Sequence, residues 1–350
     1  MSELIPVAPD QFTLPWVEQV FGASPGALAG LSHAPVGTGQ VCDSYRFACN
    51  WRDGALPASF IAKCPSADPV SRAGAALYRL YASEVGWYRD CAAHAGVPCP
   101  RPYHAAIDDD GERFVLLLED MAPLTQGDQI AGGSVAQVAA ALDGAAALHA
   151  WRPAGGDWAR LPWSERSPAA GAMLHAILSA CYPKFRARFA PLLEAEVLAL
   201  ADAFVARLDV YLPREDAAEC LRHSDLRLDN ILFDASGTRA VLLDWQTVTR
   251  GQAATDVAYL IGTSFADPAT RAAREGALID GYLARRAALG RPAERDRFWQ
   301  DYRRNAFAGL AMAINASQYV ERTARGDAMF AAMAARPARM AIDLDSLDLL

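Results

Sequence analysis

Residues 223 to 244 constrain this chain more than any other segment. They read His223-Ser-Asp225-Leu-Arg-Leu-Asp-Asn230, then two short apolar runs, Asn230 to Phe233 and Arg239 to Leu243, and finally Asp244. The runs are joined by Asp234-Ala-Ser-Gly237, turn chemistry that predicts a β-hairpin within otherwise helical surroundings. Upstream, Ser44 to Cys49, Ala58 to Lys63 and Arg113 to Glu119 are rich in Val, Ile, Phe or Leu and bounded by Asp-Gly and Gly/Pro turns, so they read as strands, with Trp51-Arg-Asp-Gly54 as a hairpin tip. Between them, Gly74 to His94 has helical spacing and ends before Gly96. After Met121 the composition turns Ala-rich, and Ser134-Val-Ala-Gln137 is a capping box that opens a helix running to about Trp151. The front third is thus a small sheet with one helix, and the remainder is mainly helical. Gly127 to Gly133 and Trp151 to Trp158 read as flexible loops, and no internal repeat is visible.

With 350 residues, 52% hydrophobic and 21% charged, the chain is rich enough in apolar residues for one large two-lobed body or two compact units, and disorder is excluded as its main state. Its formal net charge of −8 argues against a nucleic-acid or anionic-membrane surface, both of which want a positive face. The seven cysteines include no CxxC pair and no metal-finger spacing, which predicts a reducing, cytoplasmic setting. Met-Ser-Glu-Leu-Ile-Pro does not look like a secretory signal. The longest apolar candidate span, Ala169 to Cys181, contains His175 and is shorter than the roughly 20 residues a membrane crossing needs, so no span is expected.

The pattern H-x-D-x-x-x-x-N, strand, Asp has the groups that phosphoryl transfer requires: a carboxylate to take the proton of an attacking hydroxyl, and oxygen ligands for Mg²⁺. Asp225 fits the first need, Asn230 and Asp244 the second. The bland alternative is that Asp225 and Asn230 cap a turn and Asp244 caps a helix. Two more residues favour the chemical reading. Lys63 ends a strand, and Glu84 shares a helical face with Leu77, Leu80, Tyr88 and Cys91. A carboxylate facing the core is costly unless paired, so Glu84 is expected to pair with Lys63, which would then point at the phosphates of a nucleotide. Gly37-Thr-Gly39-Gln-Val-Cys-Asp-Ser44 could fold over those phosphates with backbone N–H groups, although a glycine pair before a strand is also an ordinary turn.

On these residues the chain resembles the aminoglycoside phosphotransferase-like small-molecule kinases, and among them the ecdysteroid-kinase-like branch. The likeness rests on Gly37 to Tyr45, Lys63, Ser83-Glu-Val-Gly-Trp-Tyr88, Leu116 to Met121, His223 to Asn230, Asp244-Trp-Gln246, Asp256-Val-Ala-Tyr259 and the tail Glu321 to Phe330. The resemblance implies an α+β, bilobal, protein-kinase-like fold. Residues 1–121 would form the nucleotide-binding lobe, and residues 122–350 the catalytic and substrate-binding lobe. It implies transfer of the γ-phosphate of ATP, with Mg²⁺, to a hydroxyl of a small molecule, with Asp225 as base and Asn230 and Asp244 on the metal. Glu119 to Met121 would be the hinge that bonds adenine, Asp256 the carboxylate bracing the catalytic loop, and His223 a structural member of that loop. His149 reads as a packed helix-end residue. Ser224 and Cys42 stand where the family more often has Gly. Asp244-Trp-Gln246 in place of Asp-Phe-Gly argues for a permanently formed metal site, and no activation segment ending in Ala-Pro-Glu suggests a protein substrate.

Among acceptors, polycationic aminoglycosides want clustered carboxylates. The segment Asp301 to Met333 instead mixes Tyr302, Phe307, Leu310, Met312, Tyr319 and Phe330 with Arg303, Arg304, Arg322 and Arg325, while its acids Asp301, Glu321 and Asp327 each lie within two residues of an arginine. A neutral or apolar alcohol is therefore expected in preference to an aminoglycoside; an aminoglycoside- or choline-type kinase is the enzymatic alternative. The rival from another class is a nucleotide-binding pseudokinase, disfavoured because Lys63, Asp225, Asn230 and Asp244 are all present. No obligate protein partner can be read from the sequence.

Overall fold

The structure is a computed structural model that describes residues 5–37, 41–54, 56–165, 170–215, 219–319 and 322–350. Helix α1 (Leu14–Val20) precedes strands β1 (Leu28–Pro35), β2 (Cys42–Trp51) and β3 (Ser59–Pro65). Helices α2 (Pro69–Leu77) and α3 (Leu80–Asp90) lead to β4 (Pro102–Ile107) and β5 (Phe114–Glu119). The five strands form one antiparallel sheet in the order β1-β2-β3-β5-β4. Alternation sorts its two faces. Phe60, Ala62 and Cys64 of β3, with Val115 and Leu117 of β5, pack under Trp16 and Val17 of α1. Phe114, Leu116 and Leu118 point to the other side, among Tyr81, Val85 and Tyr88 of α3. Lys63 and Ile61 belong to this second face by register.

Where one helix from Gly74 to His94 is expected, there are two. The first begins earlier, at Pro69, because Asp68 caps it by accepting from the N–H groups of Val70 and Ser71. It stops at Tyr78, and Arg79, in the left-handed region with φ 57°, restarts the chain in a new direction. Leu77 is consequently not on the Glu84 face but 72% exposed.

The mainly helical lobe begins after the hinge with β6 (Thr125–Gln126) and α4 (Val135–Ala150), whose Ser134/Gln137 capping box is formed on both sides. Next come α5 (Ala170–Phe189), α6 (Ala195–Val205), α7 (Leu208–Glu215) and β7 (Cys220–Arg222). The hairpin is β8 (Ile231–Phe233) and β9 (Ala240–Leu242), and β10 (Thr249–Gly251) pairs with β7. Helices α8 (Ala253–Ser264), α9 (Pro268–Ala288), α10 (Arg295–Arg304), α11 (Ala308–Ala316) and α12 (Ala324–Asp343) complete it. Every residue of α8 is buried, so this helix is the pillar against which the 223–230 loop is set. Among the described residues no helix is long and apolar enough to cross a membrane.

Candidate active site

The antiparallel hairpin explains why residues far apart in sequence converge. Asn230 enters β8 and Leu243 leaves β9, and Leu243 N–H donates to the Asn230 carbonyl at 2.8 Å. Asp244 therefore emerges beside the loop that carries Asp225. From the sheet above, Lys63 Nζ donates to Glu84 Oε1 and Oε2 at 2.6 and 2.8 Å and to Asp244 Oδ1 at 3.2 Å. Burial opposes the Lys63 ammonium, but Glu84 and Asp244 more than compensate and hold its pKa well above the ordinary lysine value. Glu84 is fully buried; burial pushes its carboxyl up while Lys63 and the Trp245 N–H, at 3.3 Å, pull it back. For Asp244, burial is outweighed by Lys63, His223 and Arg227, so the carboxyl is held below the usual carboxylate range.

The loop itself is locked by hydrogen bonds. Asp225 Oδ1 accepts from the Tyr259 hydroxyl at 2.7 Å and Oδ2 from Asn230 Nδ2 at 2.8 Å, and Arg227 Nε lies 3.3 Å from Oδ1. Burial and the Asp225 charge hold the Tyr259 phenol well above its ordinary pKa, so it stays a donor. Asp256, fully buried on α8, accepts from the backbone N–H groups of His223 at 2.6 Å and Ser224 at 2.9 Å. His149 joins the same carboxylate at 3.2 Å and meets the Tyr282 hydroxyl at 2.7 Å through its other nitrogen. Burial lowers its pKa, and a neutral ring protonated on Nε2 satisfies both contacts. His223 faces the Leu243 carbonyl at 2.8 Å.

Asp244 has φ 63°, and Trp245 behind it stacks on Trp87 of α3 with centroids 3.9 Å apart. Gln246 donates to the sulfur of Cys42, a thiol pushed up to about 12 by burial. The Asp-Trp-Gln segment, carried by the helical lobe, is thus wedged against the strand-rich lobe.

Ser224 has φ 69°, and its buried hydroxyl has no hydrogen-bond partner among the described residues. The left-handed conformation costs a side chain about 1–2 kcal/mol, against roughly 0.5–1 kcal/mol for the extra entropy a glycine loses on folding. Ser224→Gly is therefore expected to raise Tm modestly and Ser224→Val to lower it in a thermal melt; the opposite order would show that the loop is not strained there.

Asn230 spends its amide NH2 on Asp225, which leaves its Oδ1 free of hydrogen bonds among the described residues. Two oxygens, Asn230 Oδ1 and the Asp244 carboxylate, suit a small hard cation whose other ligands are water and phosphate. No group of three or more His, Cys, Asp or Glu among the described residues offers a richer metal site. Gly37, with φ 76°, lies in a shallow cleft with Cys42, Asp43 and Ser44, whereas Gly39 lies outside the described residues. At the hinge, Glu119 N–H donates to the Arg101 carbonyl, Asp120 holds Arg46 and Ser59, and the N–H of Met121 has no partner among the described residues.

Sequence reasoning gave no role to Arg227, Tyr259 or Gln129. Tyr259 follows Asp256 by one helical turn, a spacing that places both on the face under the loop. Gln129 sits in the segment expected to be flexible, yet it is fully buried, donates to the Thr263 carbonyl, accepts from Leu228 N–H and gives its own N–H to Asp229. A Cβ on Gly127 would come within 2.6 Å of the Leu228 carbonyl, so this segment is a close-packed backing of the loop. Tyr302, Phe307, Leu310 and Phe330, expected near an acceptor, are core residues instead.

The model of the phosphotransferase enzyme family matches residues 66–302. The chain is similar in structure to a protein of Ralstonia eutropha described as a candidate aminoglycoside phosphotransferase, at 18% identity and TM-score 0.56 over 95% of this chain and 96% of that one. It is also similar to the ADP-bound aminoglycoside phosphotransferase APH(2'')-Ib, at 15% identity and TM-score 0.50 over 90% and 95% of the two chains. In sequence, mouse acyl-CoA dehydrogenase family member 11 is 46% identical over 50 residues, a stretch that is 14% of this chain and 6% of that protein.

Proposed function

The chain belongs to the phosphotransferase enzyme family, and we propose that it moves the γ-phosphate of ATP, with Mg²⁺, to a hydroxyl of a neutral or apolar small molecule. The observation that carries this reading is the convergence of Lys63, Glu84 and Asp244 on one side with the braced Asp225–Asn230 pair on the other. Residues 1–121 form the nucleotide lobe in this account and residues 122–350 the catalytic and acceptor lobe. Lys63, aimed by Glu84, holds the α- and β-phosphates, helped by the backbone around Gly37 and Gly39, while the hinge from Glu119 to Met121 holds the adenine. Asp225 takes the acceptor's proton, with Tyr259, Asn230 and Arg227 fixing its orientation. Asn230 and Asp244 would hold magnesium, which when bound neutralises charge between the phosphates. Asp244→Ala is expected to weaken Mg·ATP binding together with turnover; unchanged affinity by calorimetry would reduce Asp244 to a structural residue.

The acceptor class rests on what stands beside the base. Met329 of α12 lies 3.7 Å from Arg227 Nη1. The nearby carboxylate, Asp327, is already paired with both Arg188 and Arg322. A polycationic sugar would find that acid neutralised. An ADP-release screen should accordingly give faster turnover with apolar hydroxyl compounds than with kanamycin-type sugars, and the reverse order would overturn the acceptor assignment.

A further inference from the structure

A second cluster of charge lies apart from this site, in a cleft of about 480 Å³ between α9, α10 and the loop that joins them. Four guanidinium groups line it: Arg152, Arg286, Arg291 and Arg297. Arg152 is committed to the backbone carbonyls of His149, Trp151 and Glu219. Arg291 and Arg297 make no side-chain hydrogen bond or ion pair among the described residues, whereas Arg286 engages only the uncharged Tyr282 side chain there. Arg286 is only 6% exposed, and its buried Nε has no hydrogen-bond partner among the described residues. Leaving a buried cation without a counter-charge is costly. Three carboxylates, those of Glu219, Glu294 and Asp301, also border the cleft, but Glu294 is spent on capping α10 through the N–H groups of Asp296 and Arg297. The crowding is felt at Arg152, whose pKa is lowered by burial and by the positive charges of Arg291 and Arg286.

We propose that this cleft binds a small phosphate-bearing anion, such as a phosphate monoester, gripped by Arg286, Arg291 and Arg297. Guanidinium forks match phosphate oxygens in a bidentate way, and the volume is that of a small-molecule site. The cleft is distinct from the transfer site: the Arg286 guanidinium carbon is 5.9 Å from the Tyr282 ring centroid, and Tyr282, His149 and Asp256 stand in sequence between it and the 223–230 loop.

The test is calorimetric titration of the full chain with inorganic phosphate at constant ionic strength, with and without saturating ADP. The expected result is a binding isotherm that survives ADP and weakens about tenfold or more in the Arg291→Ala/Arg297→Ala variant, two exposed positions whose replacement leaves Tm near that of the parent. Arg286→Gln is expected to weaken it too, and because that residue is buried the exposed pair keeps the test decisive if Arg286→Gln fails to fold. Loss of the signal on adding ADP, equal affinity in the exposed double variant, or an equal response to acetate would each overturn the proposal.

Discussion

Asp225→Asn is expected to lower kcat by roughly 10²–10⁴, the usual worth of a positioned general base, while nucleotide affinity stays within a few-fold of the parent. The substitution preserves volume and leaves Lys63, Glu84 and Asp244 untouched. What it removes is a carboxylate held in place by Tyr259 at 2.7 Å and Asn230 at 2.8 Å. Steady-state turnover and calorimetric nucleotide affinity, measured on the same preparation, separate the two quantities. Equal turnover in variant and parent would remove Asp225 from the chemistry.

The second large effect concerns the Lys63 cluster. Lys63→Ala should cost on the order of 10²–10³ in kcat/KM for ATP, because a preorganised cation aimed at the phosphates is lost and Glu84 is left buried without its partner. Glu84→Ala acts differently. Lys63 already touches Asp244 at 3.2 Å, and without Glu84 it should swing fully onto that carboxylate, displacing the ammonium and occupying an oxygen proposed to hold magnesium. Both defects pass through Lys63, so the double variant should be little worse than Lys63→Ala alone. A double-mutant cycle in which the two losses simply add would mean that the residues act independently.

The parts of this account that were legible in the sequence are those where local chemistry and tertiary structure agree. The short apolar runs of β3 and β5, the Ser134/Gln137 box and the Asp-Ala-Ser-Gly hairpin each declare themselves within a few residues, and so does the order of Asp225, Asn230 and Asp244. Strands β1 and β4 did not, because both lie at sheet edges, where apolar alternation is relaxed and proline is tolerated at Pro35 and Pro102. The break at Arg79 had no glycine to announce it. The 127–133 segment looked loose because its glycines read as freedom, whereas Gly127 is there to let the chain approach Leu228. Composition marked Tyr302, Phe307 and Leu310 as apolar residues of a candidate acceptor wall, but it does not tell a core wall from an acceptor wall. The structure shows all three to be core.

Each of these effects depends on one event, transfer of a phosphoryl group from nucleotide to an organic hydroxyl. It is tested most directly by incubating the protein with Mg²⁺, ATP labelled in the γ-phosphate and a panel of hydroxyl compounds, and following where the label goes. Label is expected in an acceptor phosphate monoester, formed in step with ADP and suppressed in Asp225→Asn. Nucleotide binding without label in any acceptor and without ADP would contradict it and identify the chain as a pseudokinase.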